Sequence, residues 1–281
     1  MMRYSRQRIC LFVALSFVFF FFLDVQGWAA KKTNSYVKIS ARAVILSDST
    51  KSKRLYGKNV STRVPPASTV KVLTALLVLE KLPLDKVVPV SRNALYPQPS
   101  KIHVKEGERY DVKSLLYAVL LNSANDAAIV LAEAVAGSEG QFVALMNKRA
   151  KELGCKNTKV ANVHGLPHAT KQYTTAYDMY LIFREALKHP FFRQAIAYPH
   201  RVIYSQAGRK IALTSHNDIL FSKWKKKLYG KTGYTRSAKA CFVGYTKNGE
   251  DDLIIAIFGC QSGRRWKEIK YLMSAYGGLA L

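Results

Sequence analysis

The sequence predicts a mixed α/β (α+β) fold in which both ends of the chain meet in one antiparallel sheet with helices against it. Three observations carry this expectation. A strand-like run lies early, at 42–47; helical periodicity fills the middle, from 68 to 187; and three apolar, strand-like runs crowd the last third, at 228–235, 240–245 and 253–258. Strands separated in this way cover their edges by pairing with one another, and amphipathic helices need a sheet face to bury their apolar stripe.

Each element has its own cause. Val44, Ile45 and Leu46 give the first run its strand character, and a Ser/Lys-rich turn separates it from a shorter strand at 54–56. Pro65 and Pro66 set up the start of a helix over 68–79, because a fixed φ and a missing N–H are harmless in a first turn. Apolar residues recur at helical spacing over 112–121, 126–136, 141–153 and 175–187. Lys247, Asn248 and Gly249 make the turn between the last two strands, and an amphipathic helix over 266–276 closes the chain.

The chain has 281 residues, 49% of them hydrophobic, with 44 Lys and Arg against 18 Asp and Glu, a net charge of +26. That apolar share supports a real core and excludes disorder. With no repeat and no linker-like tract, a single globular domain follows. Four cysteines without CxxC pairing or Cys/His clustering speak against a disulfide scaffold or a structural metal. The basic excess calls for an anionic partner: nucleic acid, acidic lipid or cell-wall polymer.

The first thirty residues choose among these. Arg3, Arg6 and Arg8 precede an apolar run over 9–23, and Gly27 and Ala29 follow as small residues two apart. This is the pattern of a secretory signal peptide over 1–29, cleaved after Ala29, and the run is shorter than the roughly 20 residues that span a bilayer. Residues 30–281 are then the mature domain, a monomer in the periplasm or cell envelope. Anionic envelope surfaces become the partner of its charge, and nucleic acid does not. Cys155, Cys241 and Cys260 remain after cleavage, enough for one internal disulfide at most.

Three motifs carry chemistry. Ser68 and Lys71 are one helical turn apart, which brings an amine within reach of a hydroxyl. A serine attacks an amide only when a neighbour takes its proton, and a lysine whose pKa is lowered by burial or nearby cations can do so. Ser123 and Asn125 lie between two helical runs, where a loop presents a hydroxyl and an amide to a cleft. Lys231, Thr232 and Gly233 fall in a strand; ammonium and hydroxyl suit a substrate carboxylate, and the glycine admits a substrate backbone at the strand edge. Taken singly, each fits a helix cap, a loop or a solvated lysine, and Ser222/Lys225 and Ser215/Asn217 repeat the first two spacings. The decoys fall within one short stretch, whereas the three motifs come in order from separate elements behind a signal peptide.

That ordered set resembles the low-molecular-mass penicillin-binding proteins of the serine D-alanyl-D-alanine carboxypeptidase family. The likeness extends to 43–48, 55–59, 66–71, 120–128, 164–166, 173–178 and 230–235, and so covers 36–279. It implies a β-lactamase/transpeptidase-like fold with an all-helical lobe. It also implies removal of the terminal D-Ala of peptidoglycan stem peptides through an acyl-enzyme on Ser68, and acylation by β-lactams. Lys71 is then the base and Ser123 the proton relay, while Asn125 binds the substrate amide. Lys231, Thr232 and Thr235 engage the terminal carboxylate, Gly233 admits the substrate backbone, and the N–H groups of Ser68 and Tyr234 form an oxyanion hole. Of Arg264 and Arg265, after the last strand, Arg264 is taken as an added charge for that carboxylate. Ala238 and Lys239 stand where the family has Ala-Gly, and no counterpart of the family's C-terminal β-rich domain is expected.

No metal or cofactor is implied: His164 and His168 straddle Gly165 and Pro167, so no helix aligns them as ligands. A class A β-lactamase would need a glutamate-held water, for which only Glu133, Glu139, Glu152 and Glu185 are available. A non-catalytic cell-wall binding protein has little need for three intact motifs. The nearest rival is a D,D-endopeptidase that cuts peptidoglycan cross-links.

Overall fold

A computed structural model describes residues 37–279; the segment over 1–29 expected to be a signal peptide lies outside the described residues. Five strands form one antiparallel sheet. β1 (Ala43–Asp48) is followed by β2 (Lys53–Lys58), and the other three come from the end of the chain: β7 (Tyr229–Thr235), β8 (Lys239–Asn248) and β9 (Asp251–Cys260). Their spatial order is β2-β1-β9-β8-β7. β1 pairs with β9 from Ala43 opposite Phe258 to Asp48 opposite Leu253, so the two ends of the chain do share a sheet.

Every residue of β1 is buried, which explains its unbroken apolar run: it lies between two helical layers. Ile45, Val243, Ala256 and Phe258 face one core, and Val44, Leu46, Phe242, Ile255 and Ile257 face the other. The second core is covered by α7 (Arg265–Ala275) through Ile269, Leu272 and Met273. The first is covered by the helices between: α1 (Lys71–Lys81), α2 (Val112–Leu120), α3 (Asn125–Ala136), α4 (Glu139–Glu152) and α5 (Ala176–Ala186). Side chains close several helix ends. Asp111, Ser138 and Thr175 each accept a first-turn N–H, and Gly137 leaves α3 at φ +79.

Five elements go beyond the expected set. β3 (Val87–Pro89) pairs with β4 (Arg109–Asp111), β5 (His200–Tyr204) pairs with β6 (Lys210–Thr214), and α6 (Pro190–Ala195) is a short helix. Each is too short to show a period, and β5 exposes His200, Val202 and Tyr204 where a core strand would bury a face. The three cysteines are buried and unpaired.

The helix start at 68 differs in detail from expectation. Ala67–Val70 is a 3-10 turn, and the α-helical part begins only at Lys71. Two glycines hold this turn by close approach. A Cβ on Gly165 would lie 1.9 Å from the Ala67 carbonyl oxygen, and one on Gly233 would lie 3.1 Å from the Ser68 nitrogen. Gly233 therefore serves first to let β7 lie against the Ser68 turn.

Gly165→Ala should destabilise the fold by about 3 kcal/mol, from overpacking added to a left-handed backbone, whereas Gly107→Ala should cost about 1 kcal/mol. Gly107 shares the positive φ but has open space around it. Urea midpoints of the two variants check the contrast, and equal losses would mean that the Gly165–Ala67 approach carries no weight. Lys239, in place of the family's glycine, sits at φ +58 in the tight turn from β7 to β8. Relief of that backbone should make Lys239→Gly more stable by up to about 1 kcal/mol, and a fall in the urea midpoint would contradict it.

Candidate active site

The amine of Lys71 is the centre of the site. Its side chain is fully buried at the head of α1, itself a core helix. Nζ donates to Asn125 Oδ1 at 2.6 Å and to the His164 carbonyl at 2.9 Å, and lies 3.2 Å from Ser68 Oγ, whose proton a neutral amine accepts. Among the described residues none of its hydrogen-bond partners is a carboxylate. Burial above all, and then the nearby charge of Lys231, push its pKa well below the ordinary 10.5, with Asp126 opposing. A neutral amine at hydrogen-bond distance from a serine hydroxyl is a general base in place.

Ser123 and Asn125 come from the junction of α2 and α3. Ser123 takes φ +57, a conformation a serine adopts only when its surroundings impose it, and Asn125 is the first residue of α3. The Asn125 side chain is spoken for on both sides, by Lys71 and by a donation from Nδ2 to the Gln98 carbonyl at 2.7 Å. Its backbone N–H reaches the Ser100 carbonyl at 2.8 Å, which fastens the 98–100 loop over the site. Ser123 Oγ is buried and has no hydrogen-bond partner among the described residues. A hydroxyl in that condition is available to a group entering the cleft.

β7 is the edge strand of the sheet and lies beside the Ser68 turn. Ser68, Ser100, Ser123, His216, Thr232, Gly233, Tyr234 and Arg265 line a cleft of about 260 Å³. Lys231, one residue before, is 1% exposed, and burial together with the charge of Arg265 brings its pKa down from 10.5 to about 7. The charge of Lys231 adds to the burial that lowers Lys71, and the charge of Arg265 adds to the burial that lowers Lys231.

Two sequence expectations are corrected here. Arg264 does not face the cleft: it precedes α7, pairs with the buried Glu268 at 3.1 Å one turn on, and donates to the Lys38 carbonyl. Arg265, at the first position of the helix, lines the cleft instead, held by the Cys241 carbonyl at 3.2 Å and by Asp218 at 3.7 Å. Thr235 is likewise absent from this cleft. Its hydroxyl accepts the Ala238 N–H at 3.0 Å and so closes the turn into β8.

Sequence reasoning missed Ser100 and His216. Ser100 lies in a loop without any pattern. His216 sits inside one of the decoy spacings, between Ser215 and Asn217, and burial with the charges of Lys231 and Lys71 lowers its pKa. The decoy serine at 222 caps a turn by donating to the Ile219 carbonyl. His164 contributes its carbonyl to Lys71, and its ring is driven down to about 3 by burial and by Lys71. The glutamates weighed for a β-lactamase are committed elsewhere: Glu133 to Ser91 and Asn93, Glu139 to the Val163 N–H, Glu152 and Glu185 to Arg149. Among the described residues that line the cleft, none is a carboxylate.

Comparison with known proteins agrees with this geometry. The sequence profile of the D-alanyl-D-alanine carboxypeptidase family matches residues 29–262. The carboxypeptidase DacF of Bacillus subtilis is 34% identical over 82% of this chain, and DacB2 of Mycobacterium tuberculosis is 34% identical over 77%. The chain spans 60% of the length of the first relative and 74% of the second. A crystal structure of a D-alanyl-D-alanine carboxypeptidase from M. tuberculosis superposes with a TM-score of 0.80 at 31% identity, covering 88% of this chain and 95% of that one. A Streptomyces DD-transpeptidase gives the same TM-score at 25% identity, over 87% of this chain and all of its own. The fold is thus that of the DD-peptidases and transpeptidases, and by profile, sequence and structure the chain belongs to the D-alanyl-D-alanine carboxypeptidase family.

Proposed function

We propose that this protein is a serine D-alanyl-D-alanine carboxypeptidase that removes the terminal D-Ala of peptidoglycan stem peptides and is acylated by β-lactams. The observation that carries the reading is a buried, readily deprotonated Lys71 amine 3.2 Å from Ser68 Oγ, in a cleft lined by Ser123 and Arg265.

In that mechanism Ser68 Oγ attacks the carbonyl carbon of the penultimate D-Ala while Lys71 accepts its proton. The oxyanion is met by the N–H groups of Ser68 and Tyr234, where β7 and the 3-10 turn come together. The C–N bond then breaks, Ser123 relays the proton held by Lys71 to the departing amine, which leaves Lys71 neutral, and free D-Ala leaves. Water, deprotonated by the same base, hydrolyses the acyl-enzyme and regenerates Ser68. Lys231, Thr232 and Arg265 hold the substrate's terminal carboxylate, and Asn125 holds Lys71 in place and binds the substrate amide. The leader pattern over 1–29 and the net charge of +26 support export and retention at an anionic envelope surface. Digestion of monomeric and cross-linked muropeptides, with products identified by mass, separates this activity from that of an endopeptidase. Release of D-Ala from monomers is the outcome expected.

Labelled penicillin should attach to Ser68 alone. Ser68→Ala should lose the label and Ser222→Ala should keep it; a labelled Ser68→Ala protein would remove the nucleophile from its role.

The two lysines should separate by pH. Lys71 must be neutral, so kcat/KM should fall as pH drops through its lowered pKa, and Lys71→Arg, permanently charged, should abolish acylation. Lys231 must be charged, so kcat/KM of the free enzyme should also fall as pH rises through about 7. Lys231→Arg should retain acylation and move that alkaline limb upward, because a guanidinium keeps its proton. An unmoved limb in pH profiles of kcat/KM would show that Lys231 is not its source.

A further inference from the structure

Between Asn217 and β7 the chain places lysines at 223, 225, 226 and 227, interrupted by Trp224. The loop is held from inside: Asn217 Nδ2 donates to the Leu228 carbonyl at 2.7 Å, and Lys227 Nζ donates to the Ser222 carbonyl. Trp224 packs against the second core, the one that α7 covers, and Lys270 Nζ of α7 stands 5.5 Å from the centre of its ring. Loop and helix therefore lie side by side. On α7, Ile269, Leu272 and Met273 turn inward, while Lys267 and Lys270, one turn apart, are exposed.

The charge of this face is not neutralised within the chain. Among the described residues Lys223, Lys225, Lys226, Lys227, Lys267 and Lys270 form no ion pair. Lys226 Nζ meets neutral oxygens, the Lys247 carbonyl at 3.4 Å and Asn248 Oδ1 at 3.5 Å. The acids of the loop and the helix are already engaged: Asp218 accepts from Trp266 Nε1 at 3.0 Å and pairs with Arg265 at 3.7 Å, and the buried Glu268 pairs with Arg264. Two residues before Lys223 an aromatic ring faces water. Phe221 is 48% exposed, its ring centre 5.1 Å from that of His200. An exposed aromatic among unpaired lysines suits a lipid interface, where headgroup phosphates take the ammonium groups and the ring enters the boundary of the acyl chains. A soluble polyanion uses the lysines and leaves Phe221 in water.

We infer that this face, Phe221, Lys223 and Lys225 of the loop with Lys267 and Lys270 of α7, joined through Trp224, docks the protein on the surface of an anionic phospholipid bilayer. The inference does not depend on the carboxypeptidase reading and adds a partner to it. β7 begins at Tyr229, directly after the loop, so docking there also fixes β7 and its cleft relative to the bilayer.

The test is co-sedimentation with vesicles. The chain from residue 30 on is used, because 36–281 forms one compact unit with its own two cores, and because the apolar run over 9–23 enters a bilayer by itself. Vesicles of phosphatidylglycerol and phosphatidylcholine in equal parts should bind the protein at least about tenfold more tightly than phosphatidylcholine alone, and the difference should shrink as salt is added. Lys225→Gln should weaken binding about fivefold, and Lys223→Gln, Lys225→Gln, Lys267→Gln and Lys270→Gln together about a hundredfold. A control that loses the same charge from α4 and the loop after it, on the far side of the sheet, combines Lys148→Gln, Lys151→Gln, Lys156→Gln and Lys159→Gln; it should stay within about twofold, because charges beyond a screening length contribute little. Phe221→Ser should weaken vesicle binding about fivefold and leave binding to soluble polyphosphate unchanged. No preference for the anionic vesicles, or equal losses in the two quadruple variants, would overturn the docking face. Vesicle binding that Phe221→Ser leaves intact would make the partner a polyanion and overturn the bilayer.

Discussion

Two lysine side chains buried beside one cleft, with no carboxylate among the described residues bonded to either amine, set the terms for the rest of the structure. Removing an ammonium from water costs several kcal/mol unless it is paired, and the usual escape is to lose the proton. Lys71 takes that escape, with Asn125 and the His164 carbonyl satisfying its amine. Lys231 donates within the chain to the Thr232 carbonyl at 3.3 Å, and its pKa sits near neutrality. For folding, the sign is unfavourable at neutral pH. The unfolded chain binds protons at both lysines that the folded chain holds weakly, so their contribution improves as pH rises toward 10.5. The large apolar cores on both faces of the sheet offset this, and the site uses the instability as basicity.

Of the six non-glycine residues at positive φ among the described residues, two lie at the same place. Ala67 and Ser123 both adopt positive φ without being glycine, one directly before Ser68 and the other at the hydroxyl proposed as the relay. Such residues persist only where packing over-determines them. The packing is visible: Gly165 presses on the Ala67 carbonyl, β7 presses on the Ser68 nitrogen, and α1 anchors the turn from below. The glycine of the third motif illustrates how a sequence reading can be right about the residue and incomplete about the reason. It was expected to admit a substrate backbone, and its closest neighbours are the atoms of the Ser68 turn.

The sheet was legible because its strands are apolar enough to be read without knowing their partners. The long helices were legible because they bury one face in a large core. β3, β4 and α6 were not, because so few residues carry no period, and β5 and β6 were not, because their exposed faces dilute it. Within the site, residues that sit in motifs could be named in advance, whereas Ser100 and His216 enter the cleft through tertiary folding of irregular loops. The two arginines show the limit of resolution by sequence. Arg264 and Arg265 are adjacent, identical in chemistry and both near the last strand. The start of α7 decides between them: it places Arg264 one turn from the buried Glu268 and turns Arg265 toward Cys241 and the cleft.

Glu268 in turn explains why the site can afford a fixed arginine at all. Its carboxylate is fully buried and accepts from the N–H groups of Ser40 and Ala41 and from the Ser40 hydroxyl, in addition to Arg264. The segment leading into β1 is thereby tied to the first turn of α7, and the first turn of α7 is where Arg265 begins. The same carboxylate pairs with Arg264, while Arg265, whose acidic partner Asp218 is 3.7 Å away and largely exposed, lines the cleft. β7 completes the logic from the other side of the cleft. An edge strand with free backbone groups invites pairing with any extended chain, and here the Ser68 turn covers its middle at Gly233 and leaves the flanks open. In the proposed mechanism an extended substrate approaches β7 along one of those flanks, beside Ser68.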